Sequence, residues 1–137
     1  MASVNELIRK ESNGAISFGD YTLSAKAKLD NFDVDGDSYK VKTFKEITKL
    51  EKNGYFVYES VPGTAVFDFV QDENSTSFKV FGEEGAQITL ELAGETEYEI
   101  FKNGESADVI KTNLGGKLSI SVELTADEAA EIRIEKK

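Results

Sequence analysis

The 137-residue sequence contains no cysteine, no histidine and no tryptophan, and it has only one proline and two arginines. Without cysteine, disulfide frameworks, thiolate zinc sites and cysteine nucleophiles are all excluded. Without histidine, the usual general base near neutral pH and the commonest metal ligand are missing, and no Ser-His-Asp set can be assembled. There is no Gly-x-Ser-x-Gly elbow, no phosphate-cradling Gly-x-x-x-x-Gly-Lys loop and no metalloprotease helix motif. These absences argue for a chain that is not an enzyme and needs no cofactor or metal.

Long apolar runs are lacking as well. The N-terminus has no apolar stretch of the about 7–15 residues that a secretory signal requires. Nowhere do roughly 18 apolar residues follow one another, so no membrane span is expected. A cytoplasmic location is the default. Asn74-Ser75-Thr76 matches a glycosylation sequon, but nothing in the sequence indicates secretion.

Positive charge is scarce, and its scarcity is uneven. The net charge is −10. Residues 26–52 carry seven lysines against six acids, whereas residues 53–137 carry seven basic against seventeen acidic side chains. A surface of that sign repels phosphate backbones, so nucleic acid is not an expected partner.

What is present is alternation. Leu118, Ile120, Val122 and Leu124 alternate with Ser119, Ser121 and Glu123, the pattern of a strand with one dry face. Ile88, Leu90 and Leu92 repeat it, as do Tyr98 with Ile100, and Ile132 with Ile134. Phe78 and Val80 define another strand, and Ala65, Phe67 and Phe69 are expected to share one face of a further one. Asn13-Gly14, Asp35-Gly36, Asn53-Gly54 and Asn103-Gly104 suit type I′ hairpin turns, which need two residues with positive φ.

Ten or eleven short strands at this spacing imply an all-β fold, an antiparallel β-sandwich of jelly-roll or Ig-like type. Residues 64–135 hold seven of the strands and are expected to form an Ig-like core that the earlier strands extend. The expected organisation is an arm or short helix over 1–14, where Ser3-x-x-Glu6 has the form of a capping box, and a single sandwich domain over 15–137. Residues 43–52 read either as a helix, from Phe44, Ile47 and Leu50, or as half of a hairpin about Asn53-Gly54. The hairpin, pairing Leu50 with Val57 and Thr48 with Glu59, agrees better with the neighbouring strands.

Candidate functional residues are few. Asp33-Val34-Asp35-Gly36-Asp37 suggests a calcium loop, but alignment on Gly36 puts Lys42 where a bidentate Glu belongs, and an acidic hairpin turn is the better reading. Glu59 and Asp68 each interrupt an aromatic-rich strand, and both are expected to point to solvent. Tyr39, Tyr55 and Tyr58, with Glu59 beside them, and also Tyr21 and Tyr98, could form a glycan-binding face, because sugars stack on flat aromatics. Tyrosine on a strand more often packs at the edge of a core.

Tyr39 to Thr43, Ile47 to Gly54 and Val57 to Val66, together with Gln87–Leu92 and Lys111–Leu124, give the chain a further character. In these stretches it resembles a group of short proteins of anaerobic Gram-positive bacteria that carry an "endosialidase" label. The resemblance implies no catalytic residue here. Sialidase sites hold the sialate carboxylate with three arginines, since a planar guanidinium binds it bidentately, and Arg9 and Arg133 are the only two available. The expectation is a non-enzymatic structural subunit or interaction module that self-associates as a homo-oligomer. A carbohydrate-binding accessory module is the alternative.

Overall fold

The computed structural model describes residues 3–137, which form strands joined by turns and loops, with no helix among them. In chain order the strands are β1 (Ile8–Lys10), β2 (Ile16–Phe18), β3 (Ala27–Val34), β4 (Asp37–Phe44), β5 (Ile47–Lys52), β6 (Tyr55–Val61) and β7 (Ala65–Gln71). They continue as β8 (Ser75–Phe81), β9 (Ala86–Glu91), β10 (Glu97–Lys102), β11 (Glu105–Lys111), β12 (Lys117–Val122) and β13 (Ala130–Lys136). A seven-stranded sheet runs β1-β2-β7-β8-β13-β10-β11, and a six-stranded sheet runs β12-β9-β6-β5-β4-β3. Every pairing is antiparallel. The chain is thus an antiparallel β-sandwich, with thirteen strands where about ten were expected.

The strands β7 to β13 form one block, and the earlier strands extend both sheets on the same side of it. β1 and β2 add beyond β7, while β3 to β6 add beyond β9. Within the block five strands lie in one sheet and two in the other, which replaces the four-on-three division of an Ig domain. The Asn103-Gly104 hairpin accounts for this, because it folds β11 back along the outer side of β10.

The alternating residues point inward as their spacing requires. Leu118, Ile120 and Val122 on β12 meet Ile88 and Leu90 on β9, and the facing sheet supplies Phe78, Val80, Ile100, Ile132 and Ile134. Apolar burial of this kind stabilises by ~1.5–3 kcal/mol per large side chain. Phe18, Tyr58, Phe69 and Phe78 meet edge to face or tilted, with ring centroids 5.2–5.8 Å apart, a geometry the aromatic quadrupole favours.

Four expectations need correction. First, no helix or loose arm forms over residues 3–14, residues 1 and 2 lying outside the described residues. Leu7 takes φ 74°, and β1 then pairs with β2, joining Ile8 to Phe18 and Lys10 to Ile16. Val4 and Ile8 are buried, and burying them in the sheet outweighs the capping propensity of Ser3.

Second, the preferred hairpin about Asn53-Gly54 forms, with residues 43–52 making the end of β4, a tight turn at Lys45-Glu46 and β5, but its register needs correction. The predicted register holds for Lys52 with Tyr55 and Glu51 with Phe56, then slips at a bulge so that Leu50 faces Tyr58 and Thr48 faces Ser60. The bulge lets consecutive Val57 and Tyr58 both enter the core.

Third, Ala65, Phe67 and Phe69 do not share a face. Asp68 takes φ 56° at a bulge between Phe67 and Val70. Phe69 turns inward, and Phe67 is left outside against Phe81 and Arg9. Fourth, Asn13-Gly14 is not a two-residue turn. Only Gly14 has positive φ, and the Asn13 side chain instead accepts a hydrogen bond from the Ala15 amide at 3.0 Å. The other three pairs have positive φ at both residues, as type I′ turns demand.

A buried polar thread crosses between the sheets. The Asp20 amide donates to Thr43 Oγ1 (2.9 Å), which lies 2.8 Å from Thr48 Oγ1. Thr48 Oγ1 donates to the Thr64 carbonyl and accepts from the Thr64 amide. Thr64 Oγ1 in turn lies 2.8 Å from both the Tyr58 hydroxyl and Ser60 Oγ. Gly19 is required beside this thread, because at φ 99° a Cβ there would come 2.4 Å from the Thr64 carbonyl oxygen.

Candidate functional site

Tyr39, Tyr55, Tyr58 and Glu59 do not form one platform. Tyr58 is fully buried, wedged between Phe18 and Phe78, with its hydroxyl on Thr64. Burial pushes its phenol far up, against a smaller downward pull from Thr64 and Ser60. A ring so enclosed cannot stack on a sugar. Glu59, the next residue, points to the outer face of the six-stranded sheet, opposite Lys49 on one side and Thr89 on the other.

Tyr39 and Tyr55 lie in a different row, joined through Lys52, which pairs with both. Tyr55 is 73 % exposed at the hairpin tip. Tyr39 is half-buried and lines a cleft of about 240 Å³ with Ile16, Lys52, Val57, Phe69 and Gln71. Burial raises its phenol, helped by the negative charges of Asp37 and Asp35. Asp33 to Asp37 form the β3–β4 turn, with Asp35 and Gly36 at positive φ. There Asp35 takes an ion pair from Lys10 at 3.0 Å, which ties the tip of one sheet to the edge of the other. Asp68 is half-buried at its bulge, its amide donating to Ser17 Oγ.

The outer face of β3 to β5 carries a constellation that sequence reasoning missed. On β4 the inward residues Val41 and Thr43 alternate with Lys40 and Lys42. Register then sets Lys28 directly across from Lys42, and Lys42 directly across from Lys49. Lys40 pairs with Glu51 in the next row. Lys28, Lys40, Lys42, Lys49 and Glu51 enclose a small cleft of about 80 Å³.

Three carboxylates border this group: Glu51 lies 3.7 Å from Lys49, Glu59 sits directly across from Lys49 on β6, and Asp30 lines a neighbouring cleft with Lys40. Like charges directly opposite one another in a sheet are destabilising. A chain of charge −10 that places three of its lysines in one cross-strand ladder therefore bears a cost that an anion could relieve. Phe56 closes the far end of the face, with the Lys117 ammonium 3.4 Å from its ring centroid.

The signal was present in the seven lysines of residues 26–52 and in the period-two spacing of Lys40 and Lys42. It was hidden by the six acids in the same stretch. Four of those acids sit at turns, Asp33, Asp35 and Asp37 around that between β3 and β4 and Glu46 in that between β4 and β5, while Asp30 and Glu51 border the lysines.

Fold and surface together define a two-sheet antiparallel β-sandwich that is acidic overall and has one lysine-bearing face. A scan against protein-family models, a search of curated proteins and a search of solved structures each return no match.

Proposed function

We propose that the chain is a non-enzymatic structural subunit that works by associating with copies of itself. The observation that carries this reading is the pair of edge strands β3 and β11. β11 pairs only with β10, and all of its residues but Ile110 are exposed. β3 pairs only with β4, and most of its residues are likewise exposed.

Strands that bury so few side chains, Phe32 and Val34 on β3 and Ile110 on β11, add little to the stability of a lone sandwich, and open edges invite a partner. The bulge at Asn31 interrupts the free side of β3. Such bulges blunt flat edge-to-edge pairing, so partner contact through side-chain faces is the better-supported mode.

Light scattering across a concentration series, with electron micrographs of the same samples, tests the proposal. A defined oligomer or filament is the expected result, and a monomer at every concentration would overturn it. The alternative of a carbohydrate-binding module draws support from the cleft lined by Tyr39 and Lys52. Retention on a polysaccharide affinity gel that Tyr39→Ala abolishes would favour it.

A further inference from the structure

The lysine ladder has a counterpart on the same molecule. The β8–β9 loop (82–85) and the β12–β13 connection (123–129) lie together, with the Gly82 amide donating to the Thr125 carbonyl at 3.3 Å. They carry Glu83, Glu84, Glu123, Asp127 and Glu128, all exposed, and no lysine or arginine. Among the described residues none of these five is in an ion pair, and neither are Lys28, Lys40 and Lys42. Tyr21 beside this acidic end is raised by burial and then by the charges of Glu83, Asp20 and Asp127, so Glu83 from one loop and Asp127 from the other both lie near its hydroxyl.

These two surfaces cannot neutralise each other within one chain. β6 stands between the ladder and β9. Thr89, on the ladder's own row, is four residues along β9 from the acidic loop, ~13 Å at the rise of a strand.

We propose that the ladder of Lys28, Lys42 and Lys49, with Lys40 beside it, receives the acidic end of a second copy of this chain. The inference rests on the self-association reading above and names the contact through which it occurs. The two patches are different surfaces, so the contact is heterologous. Successive copies then add head to tail, giving a ring if the rotation closes and a filament if it does not. Each junction relieves the repulsion in the ladder and among the carboxylates together.

The experiment uses three full-length proteins: the wild type, a ladder variant (Lys28→Glu, Lys42→Glu, Lys49→Glu) and a cap variant (Glu83→Lys, Glu84→Lys, Asp127→Lys). All six positions are on the solvent side, and circular dichroism confirms the fold of each. Scattering mass is read from about 0.05 to about 0.5 M salt, over which charge screening shortens several-fold. The expected result is a wild-type assembly whose mass falls with salt, two variants that are each monomeric, and recovery of the assembly when the variants are mixed in equal amounts. Recovery cannot come from misfolded chains.

A wild type that assembles while the ladder variant reaches the same mass with the same salt dependence would overturn this interface and leave self-association standing. A wild type that stays monomeric throughout would overturn both.

Discussion

Two tyrosine hydroxyls show how differently a buried polar atom can be treated. Tyr58 shares a hydrogen bond with Thr64, whereas the Tyr21 hydroxyl is buried with no partner among the described residues. A buried polar group left unpaired costs about 1–3 kcal/mol. Tyr21→Phe is therefore expected to leave the denaturation midpoint unchanged or to raise it. A loss above ~1 kcal/mol would show that the hydroxyl has a partner after all.

The phenols also set an alkaline limit. Burial holds Tyr58, Tyr21 and Tyr39 above their ordinary range, so the folded chain keeps protons that the unfolded chain releases near pH ~10. The stability they contribute is complete below that value and is lost as pH rises above it. Denaturant titrations on either side of pH ~10, with tyrosine absorbance followed in parallel, should show unfolding and phenol ionisation together. Ionisation of all five phenols in a chain that remains folded would contradict the burial.

At the scale of elements, strands with strict alternation were legible and strands with bulges were not. Ile88 with Leu90 and Ile132 with Ile134 needed nothing beyond period two. Val57 and Tyr58 broke the period, because one extra residue turned both inward, and the bulge at Asp68 put Phe67 and Phe69 on opposite faces. No composition rule distinguishes these positions beforehand, since the extra residue is selected by how both sheets fill the core. The candidate site failed for a related reason. Tyr58 could be offered for a glycan face as well as for core packing because its inward turn depends on the bulge, and the lysine ladder exists only once three strands are in register.

The N-terminal segment gives an element-scale prediction. Losing Val4 and Ile8 forfeits roughly 3–6 kcal/mol of burial, a large part of the ~7–20 kcal/mol that a domain of this size commands. Deleting residues 1–12 should therefore lower the melting temperature sharply in calorimetry, whether or not the protein self-associates. An unchanged melting curve would place β1 outside the cooperative unit.

At the scale of the whole molecule, charge is sorted by surface, which a net value conceals. The −10 total describes neither the lysine-bearing face nor the acidic end, and only their opposition gives the protein a direction. One further consequence follows from β13, which lies between β8 and β10 inside the seven-stranded sheet. Until the ribosome has delivered residues 130–136, β8 and β10 have no neighbour on their facing sides, and that sheet remains in two pieces. Folding must therefore wait for synthesis of this stretch and cannot proceed strand by strand as the chain emerges. A nascent chain stalled before Ala130 would present two bare edges at once and depend on chaperones, while emergence of residues 130–136 would close the sheet.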